Sequence, residues 1–176
     1  MAIATWLLFV MGLVGAADIA LYHSVAHGIR THEDSRTELF IHSLRGPTYF
    51  VLYLAVPNLA LSGAWFVALV VLLAVDLAIS LWDFAIEGDS RDALGGLPSG
   101  EYVLHIMLAM LFGGLVATVF LRHGQNFGEP TAISYEPADV PGLLRLALAV
   151  MAIVVLASGA QDLRSALRMR PARSAR

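Results

Sequence analysis

Four pairs of side chains able to bind metal ions or move protons stand four residues apart: His23 and His27, Glu38 and His42, Asp83 and Glu87, Glu101 and His105. Residues at that spacing share one face of an α-helix, so each pair can aim at a common point. Each pair lies in its own apolar segment, near the end of the first and third and near the start of the second and fourth. Because consecutive segments alternate in direction, an up-down bundle brings all four pairs to one level. Imidazole and carboxylate together suit divalent cations with mixed N and O preference, and carboxylate plus His drawn from several helices is the architecture of di-iron and di-manganese bundles. Soluble bundles of that kind use Glu-x-x-His at i, i+3, whereas the spacing here is i, i+4, so the parallel is one of chemistry. The eight residues are expected to hold two divalent ions about 3.5 to 4 Å apart, iron favoured, with manganese and zinc as alternatives. Not all eight need bind, since a reactive site keeps positions open.

Further polar residues flank the pairs. Asp76 precedes Asp83 by almost two turns, roughly 10 Å at 1.5 Å per residue, with Ser80 between them; a proton path and a single interhelical hydrogen bond are equal readings. Asp18 fits a regular helix poorly, pointing about 140° from His23 and 180° from His27, so either the first helix is distorted or Asp18 serves something else. Arg45 follows His42 by three residues and is expected to support the ligands. Arg30, Arg36 and Arg91 flank the pairs and can each pair with a ligand carboxylate, but for Arg36 and Arg91 membrane topology is the plainer expectation, and Tyr22, Tyr49, Trp82 and Tyr102 are expected at the lipid boundary. His32, His123, Glu33, Asp34 and Asp92 are expected in water, as is Asp89 unless it joins the site.

What must position these groups is a membrane bundle. Of the 176 residues, 58% are hydrophobic and 14% charged, and the mean hydropathy of +0.72 is that of a chain in a bilayer. Apolar runs near 3–30, 38–60, 64–88, 100–122 and 142–167 predict five transmembrane helices in an all-α fold. One membrane domain over 1–176 is expected, with a hairpin over 3–60 repeated over 64–122 and an accessory fifth helix over 142–167. The repeat reads His23-x3-His27-Gly28 then Glu38-x3-His42 in one copy, and Asp83-x3-Glu87-Gly88 then Glu101-x3-His105 in the other. An axis along the membrane normal would relate the copies and put a shared site at their interface. Pro57-Asn58 and Ser62-Gly63 end the second run, Ser99 is expected to cap the fourth, and 125–141 reads as an ordered external loop. Gln161, Asp162 and Arg164 mark the exit of the fifth helix, and Gly159 marks its close packing.

All 11 basic residues are Arg. Arg30, Arg36, Arg45, Arg91, Arg164, Arg168, Arg170, Arg173 and Arg176 fall on one side and only Arg122 and Arg145 on the other. The positive-inside rule then puts the C-terminus and the ligand pairs on the cytoplasmic side and the N-terminus outside. No signal-peptide pattern opens the chain, so the first apolar run is expected to persist. The absence of cysteine excludes disulfides and thiolate sites, and no feature points to nucleic acid.

Four activities compete for such a site. An oxygen-activating di-iron oxidoreductase that hydroxylates or desaturates an apolar or lipid-like substrate makes the fullest use of the ligands. Its partners would be membrane lipid, an apolar small molecule and an electron donor on the cytoplasmic side; association with further copies would use small-residue faces such as Gly113-Gly114. A zinc-dependent membrane hydrolase is the alternative, though it leaves half the ligands idle. A haem-binding electron-transfer protein would have to neutralise the carboxylates, and a metal transporter would need polar residues across the whole bilayer.

Overall fold

A computed structural model of the chain describes residues 1–92 and 95–169, without the side chains of Asp89, Ser90 and Arg91. The expectations for the side chains of Asp89 and Arg91, and for Arg170, Arg173 and Arg176, lie outside the described residues. The molecule is mostly helical. Helix α1 (Ala2–Asp18) runs without a break into a π-helical segment, Ile19–Ala26. Gly28, at φ +56°, takes the left-handed conformation that glycine adopts without strain and turns the chain. Two 3-10 turns, Ile29–Thr31 and Glu33–Ser35, then lead into α2 (Arg36–Ala55). Strand β1 (Leu59–Ser62), α3 (Ala64–Asp92), α4 (Ser99–His123), β2 (Ala132–Tyr135) and α5 (Gly142–Arg168) follow.

Four helical stretches are long and apolar enough to cross a membrane: Ala2–Ala26, Ala64–Gly88, Ser99–Phe127 and Gly142–Arg168. Helix α2 falls short of that standard. Its 20 residues include Arg36, Glu38, His42 and Arg45, which interrupt the apolar run. Its position in the molecule explains how it carries them, because it lies against both α3 and α5 while α1 packs chiefly on α4. The α2–α5 crossing is close: a Cβ added to Gly159 would stand 3.1 Å from Gly46 Cα and 3.1 Å from the Ser43 carbonyl oxygen. Pro47, lacking an N–H, leaves that same Ser43 carbonyl outside the helical ladder. Toward the opposite end, Leu8, Leu52, Phe66, Leu115 and Leu148 form the buried apolar core.

The second helix stops short of the expected residue 60. Pro57 has no N–H with which to continue the helical ladder past Val56, and the chain enters β1, which pairs antiparallel with β2 from Leu59 opposite Tyr135 to Ser62 opposite Ala132. The stretch expected as a loop thus supplies one strand of a short ribbon. Ser99 is the first residue of α4 rather than its cap, a position that Pro98 takes.

Candidate metal centre

The π-helical segment resolves the position of Asp18. Hydrogen bonding in the i to i+5 pattern absorbs one more residue per turn than an α-helix does, which brings Asp18 and His23, five apart, onto one face. His23 Nε2 lies 3.4 Å from Asp18 Oδ2 and 3.4 Å from Glu101 Oε1 on α4. His105 Nε2, one turn further along α4, lies 3.4 Å from the same Asp18 oxygen. The second oxygen of Glu101 is turned toward His27, at 3.5 Å from its Nε2. Asp18, His23, Glu101 and His105 therefore each offer a donor atom, all within 4.8 Å of one another.

A second group adjoins the first. His23, Glu38 and His42 meet the same 4.8 Å condition, and the His23 and His42 rings are stacked with centroids 4.7 Å apart. On α3, Asp83 Oδ1 lies 3.2 Å from His42 Nε2. Arg45 approaches the other Asp83 oxygen at 3.6 Å through Nη1 and donates a hydrogen bond from Nη2 to Ser80 Oγ. Glu87 Oε2 lies 3.2 Å from Nδ1 of His105, the ring nitrogen opposite the one that faces Asp18. No protein family, curated protein or solved structure matches this chain. The chemistry must therefore be read from the side chains alone.

Those side chains are enclosed. Asp18, His23, Glu38, Asp83, Glu87, Glu101 and His105 are buried, and His27 and His42 are half-buried. Five carboxylates in so small a volume repel one another and have left water behind, a cost met by partners or bound cations. A buried cluster of His, Asp and Glu with this spacing is of the kind that can hold a metal ion. All eight residues singled out by spacing belong to the connected cluster, and Asp18 joins them as a central member.

The surrounding residues sort differently from expectation. Asp76 is buried and accepts a hydrogen bond from Tyr49 Oη at 3.1 Å, which brings Tyr49 to the interior instead of the lipid boundary. Trp82 and Tyr102 are exposed, in keeping with a boundary position. Tyr22 packs its hydroxyl over Gly100. His32 is exposed, whereas His123 is half-buried with Nε2 3.5 Å from the N-terminal amine. Arg30 pairs with Asp162 on α5 at 2.6 Å and donates to Ser158 Oγ at 2.8 Å; Arg36 donates to the Ala166 carbonyl at 3.0 Å. Asp162, read from sequence as a helix exit, is thus a buried anchor for the turn after the π segment. The signal for it was its spacing of three residues from Gly159, on the face that meets α2.

Beside the cluster a cleft of about 410 Å³ runs between α1, α2 and α5. Asp18, His23, His42 and Asp83 line its polar end, and Met11, Gly12, Gly15, Tyr53, Met151 and Val155 line its apolar length.

Proposed function

We propose that this chain is a membrane-embedded dinuclear metalloprotein, most consistent with a non-haem di-iron oxidoreductase that uses dioxygen to hydroxylate or desaturate an apolar substrate. The observation that carries a bound cation is a set of distances, and the second donor group of His23, Glu38 and His42 beside the first favours two ions over one. Around Asp18 and Glu101 the four His Nε2 to carboxylate separations are 3.4, 3.4, 3.4 and 3.5 Å, longer than the ~2.9 Å of a good hydrogen bond, whereas His42 Nε2 and Asp83 stand at hydrogen-bond distance, 3.2 Å. A tetrahedron of donors each about 2.1 Å from a metal has edges of about 3.4 Å. Donors that converge at that separation suit a cation between them better than a proton.

Two ions, with iron favoured over manganese, account for more of the cluster than one does. Asp18, His23, His105 and one oxygen of Glu101 would hold the first. Glu38 and His42, which converge with His23, would hold a second, with His27, Asp83 and the other Glu101 oxygen as neighbouring donors. Bound iron would supply the oxygen chemistry and pass on electrons received from a donor protein. For hydroxylation the balance is one dioxygen, one C–H bond, two electrons and two protons giving one alcohol and one water, with the electrons coming from a donor protein. Glu87, placed against His105 Nδ1, accepts that nitrogen's hydrogen and leaves Nε2 to bind. Asp76 and Tyr49 form a buried proton-holding pair two turns from the ligands. Arg45 fixes Asp83, and the apolar cleft excludes water while admitting substrate from the bilayer.

The same reading takes α2 as a fifth span, its polar half shielded by α3 and α5 and its second half apolar. It also takes the two halves as diverged copies, since exchanging α1 with α3 and α2 with α4 carries the closely packed α1–α4 pair onto α3–α2. The centre and C-terminus would face the cytoplasm, where the electron donor would dock. A mononuclear zinc hydrolase is the second reading, favoured by the tetrahedral edge length around Asp18, His23, Glu101 and His105. Chemically reduced, iron-loaded protein exposed to oxygen in the presence of alkane or lipid separates the two. Oxygen uptake with an oxidised product, lost in Glu101→Gln, is expected; zinc-dependent ester cleavage without oxygen uptake would replace the di-iron reading with the hydrolase.

A further inference from the structure

The cleft is apolar along its length but not at its head. Arg45 lines it beside the metal cluster, and the guanidinium is only partly committed. Nη2 donates to Ser80 and Nη1 stands 3.6 Å from Asp83, while the buried Nε has no hydrogen-bond partner among the described residues. Of the carboxylates lining the cleft, Asp162 is held by Arg30 at 2.6 Å, and Asp18 and Asp83 face imidazoles. Among the described residues Arg45 is the cleft's one lining arginine and keeps 25% of its side chain exposed, so a cationic group stands where the polar end gives way to the apolar channel.

The channel has a defined reach and width. From His42 to Tyr53 it follows α2 for about 16 Å at 1.5 Å per residue. A volume of about 410 Å³ sits low in the ~300–1,000 Å³ range of small-molecule pockets, which suits one alkyl chain and not the two of a phospholipid. Gly15 forms part of the wall, and a Cβ placed on it meets nothing within 4 Å.

We infer that the cleft takes a single-chain amphiphile with an anionic head, the head at the Arg45 guanidinium and the alkyl chain along the Gly12 and Gly15 wall toward Tyr53 and Met151. This rests on the proposed metal centre, because bound cations offset the carboxylates that would otherwise repel such a head. It gives the substrate a class, a long-chain carboxylate or its equivalent, and a direction, with the carbons next to the head closest to Asp18 and His23.

The test is equilibrium binding of dodecanoate and of dodecanol to metal-loaded protein in lipid nanodiscs, with metal content measured on the same samples. Dodecanoate is expected to bind at least tenfold more tightly than dodecanol. Arg45→Gln is expected to remove that preference and Arg45→Lys to restore part of it. Gly15→Phe, which fills open space and replaces a poor helix former, is expected to block both ligands while keeping the metal. Equal binding of acid and alcohol by metal-replete wild type, unchanged in Arg45→Gln, would overturn the inference and leave the metal centre standing. Wild-type protein that takes up no metal and binds neither ligand would remove both.

Discussion

At the scale of single residues, the site is an assembly of imidazoles held by carboxylates, and each member has a separable role. Asp18→Asn is expected to lose metal as severely as His23→Ala, because one Asp18 oxygen stands 3.4 Å from both His23 and His105. Metal per chain measures this, and retention of the full complement in Asp18→Asn would move Asp18 out of the centre. Glu87→Gln is a milder lesion. It keeps the side chain beside His105 Nδ1 but loses the negative charge, and metal affinity is expected to fall about 10- to 100-fold without loss of sites at saturating metal. His32→Ala is expected to change nothing, as that ring is exposed. The pairs were legible in the sequence because i, i+4 spacing survives any regular helix. Asp162 was less so, because an acid near a helix end reads equally as solvated and its spacing of three from Gly159 is a weak sign of burial, which its pairing with Arg30 makes plain.

At the scale of elements, the departure from regularity matters most. A π segment is in effect one residue inserted into an α-helix, and the sequence around Ile19–Ala26 carries no composition that announces it. A regular helix therefore sends Asp18 away from His23, whereas the observed one joins them. Deleting the exposed Ala20 is expected to restore α geometry with Asp18 and His23 four apart, keeping helicity and most of the metal. Adding a second alanine after Ala20 rotates Asp18 by about 100° and is expected to lose metal at unchanged helicity by circular dichroism. The α2–α5 crossing gives a stability prediction. Gly159→Leu must push its Cβ against backbone at 3.1 Å, and overpacking of that kind costs about 1–3 kcal/mol, read as a lower thermal midpoint. The β1–β2 ribbon was hidden for a simple reason: Leu59-Ala60-Leu61 continues an apolar run, and four residues carry too little alternation to stand apart from a helix.

At the scale of the whole molecule, four helical stretches are apolar and long enough to cross a membrane, and the eight paired residues lie in one connected cluster. The orientation proposed from arginine placement is open to a direct test, because the sequence holds no cysteine. Cysteine placed at the exposed Ser134 is expected to react with an impermeant maleimide in intact cells, and cysteine placed at His32 only after lysis; the reverse pattern would invert the topology. The central claim is that the imidazoles and carboxylates of α1 to α4 grip cations. Elemental analysis of protein purified from membranes without added metal tests it most directly, run beside the Asp18→Asn, His105→Ala double variant. Close to two metal ions per chain, predominantly iron, falling below about half an ion in the double variant, is the expected result. Wild-type protein that is folded, lipid-embedded and metal-free even after reconstitution with iron, manganese or zinc would contradict the account.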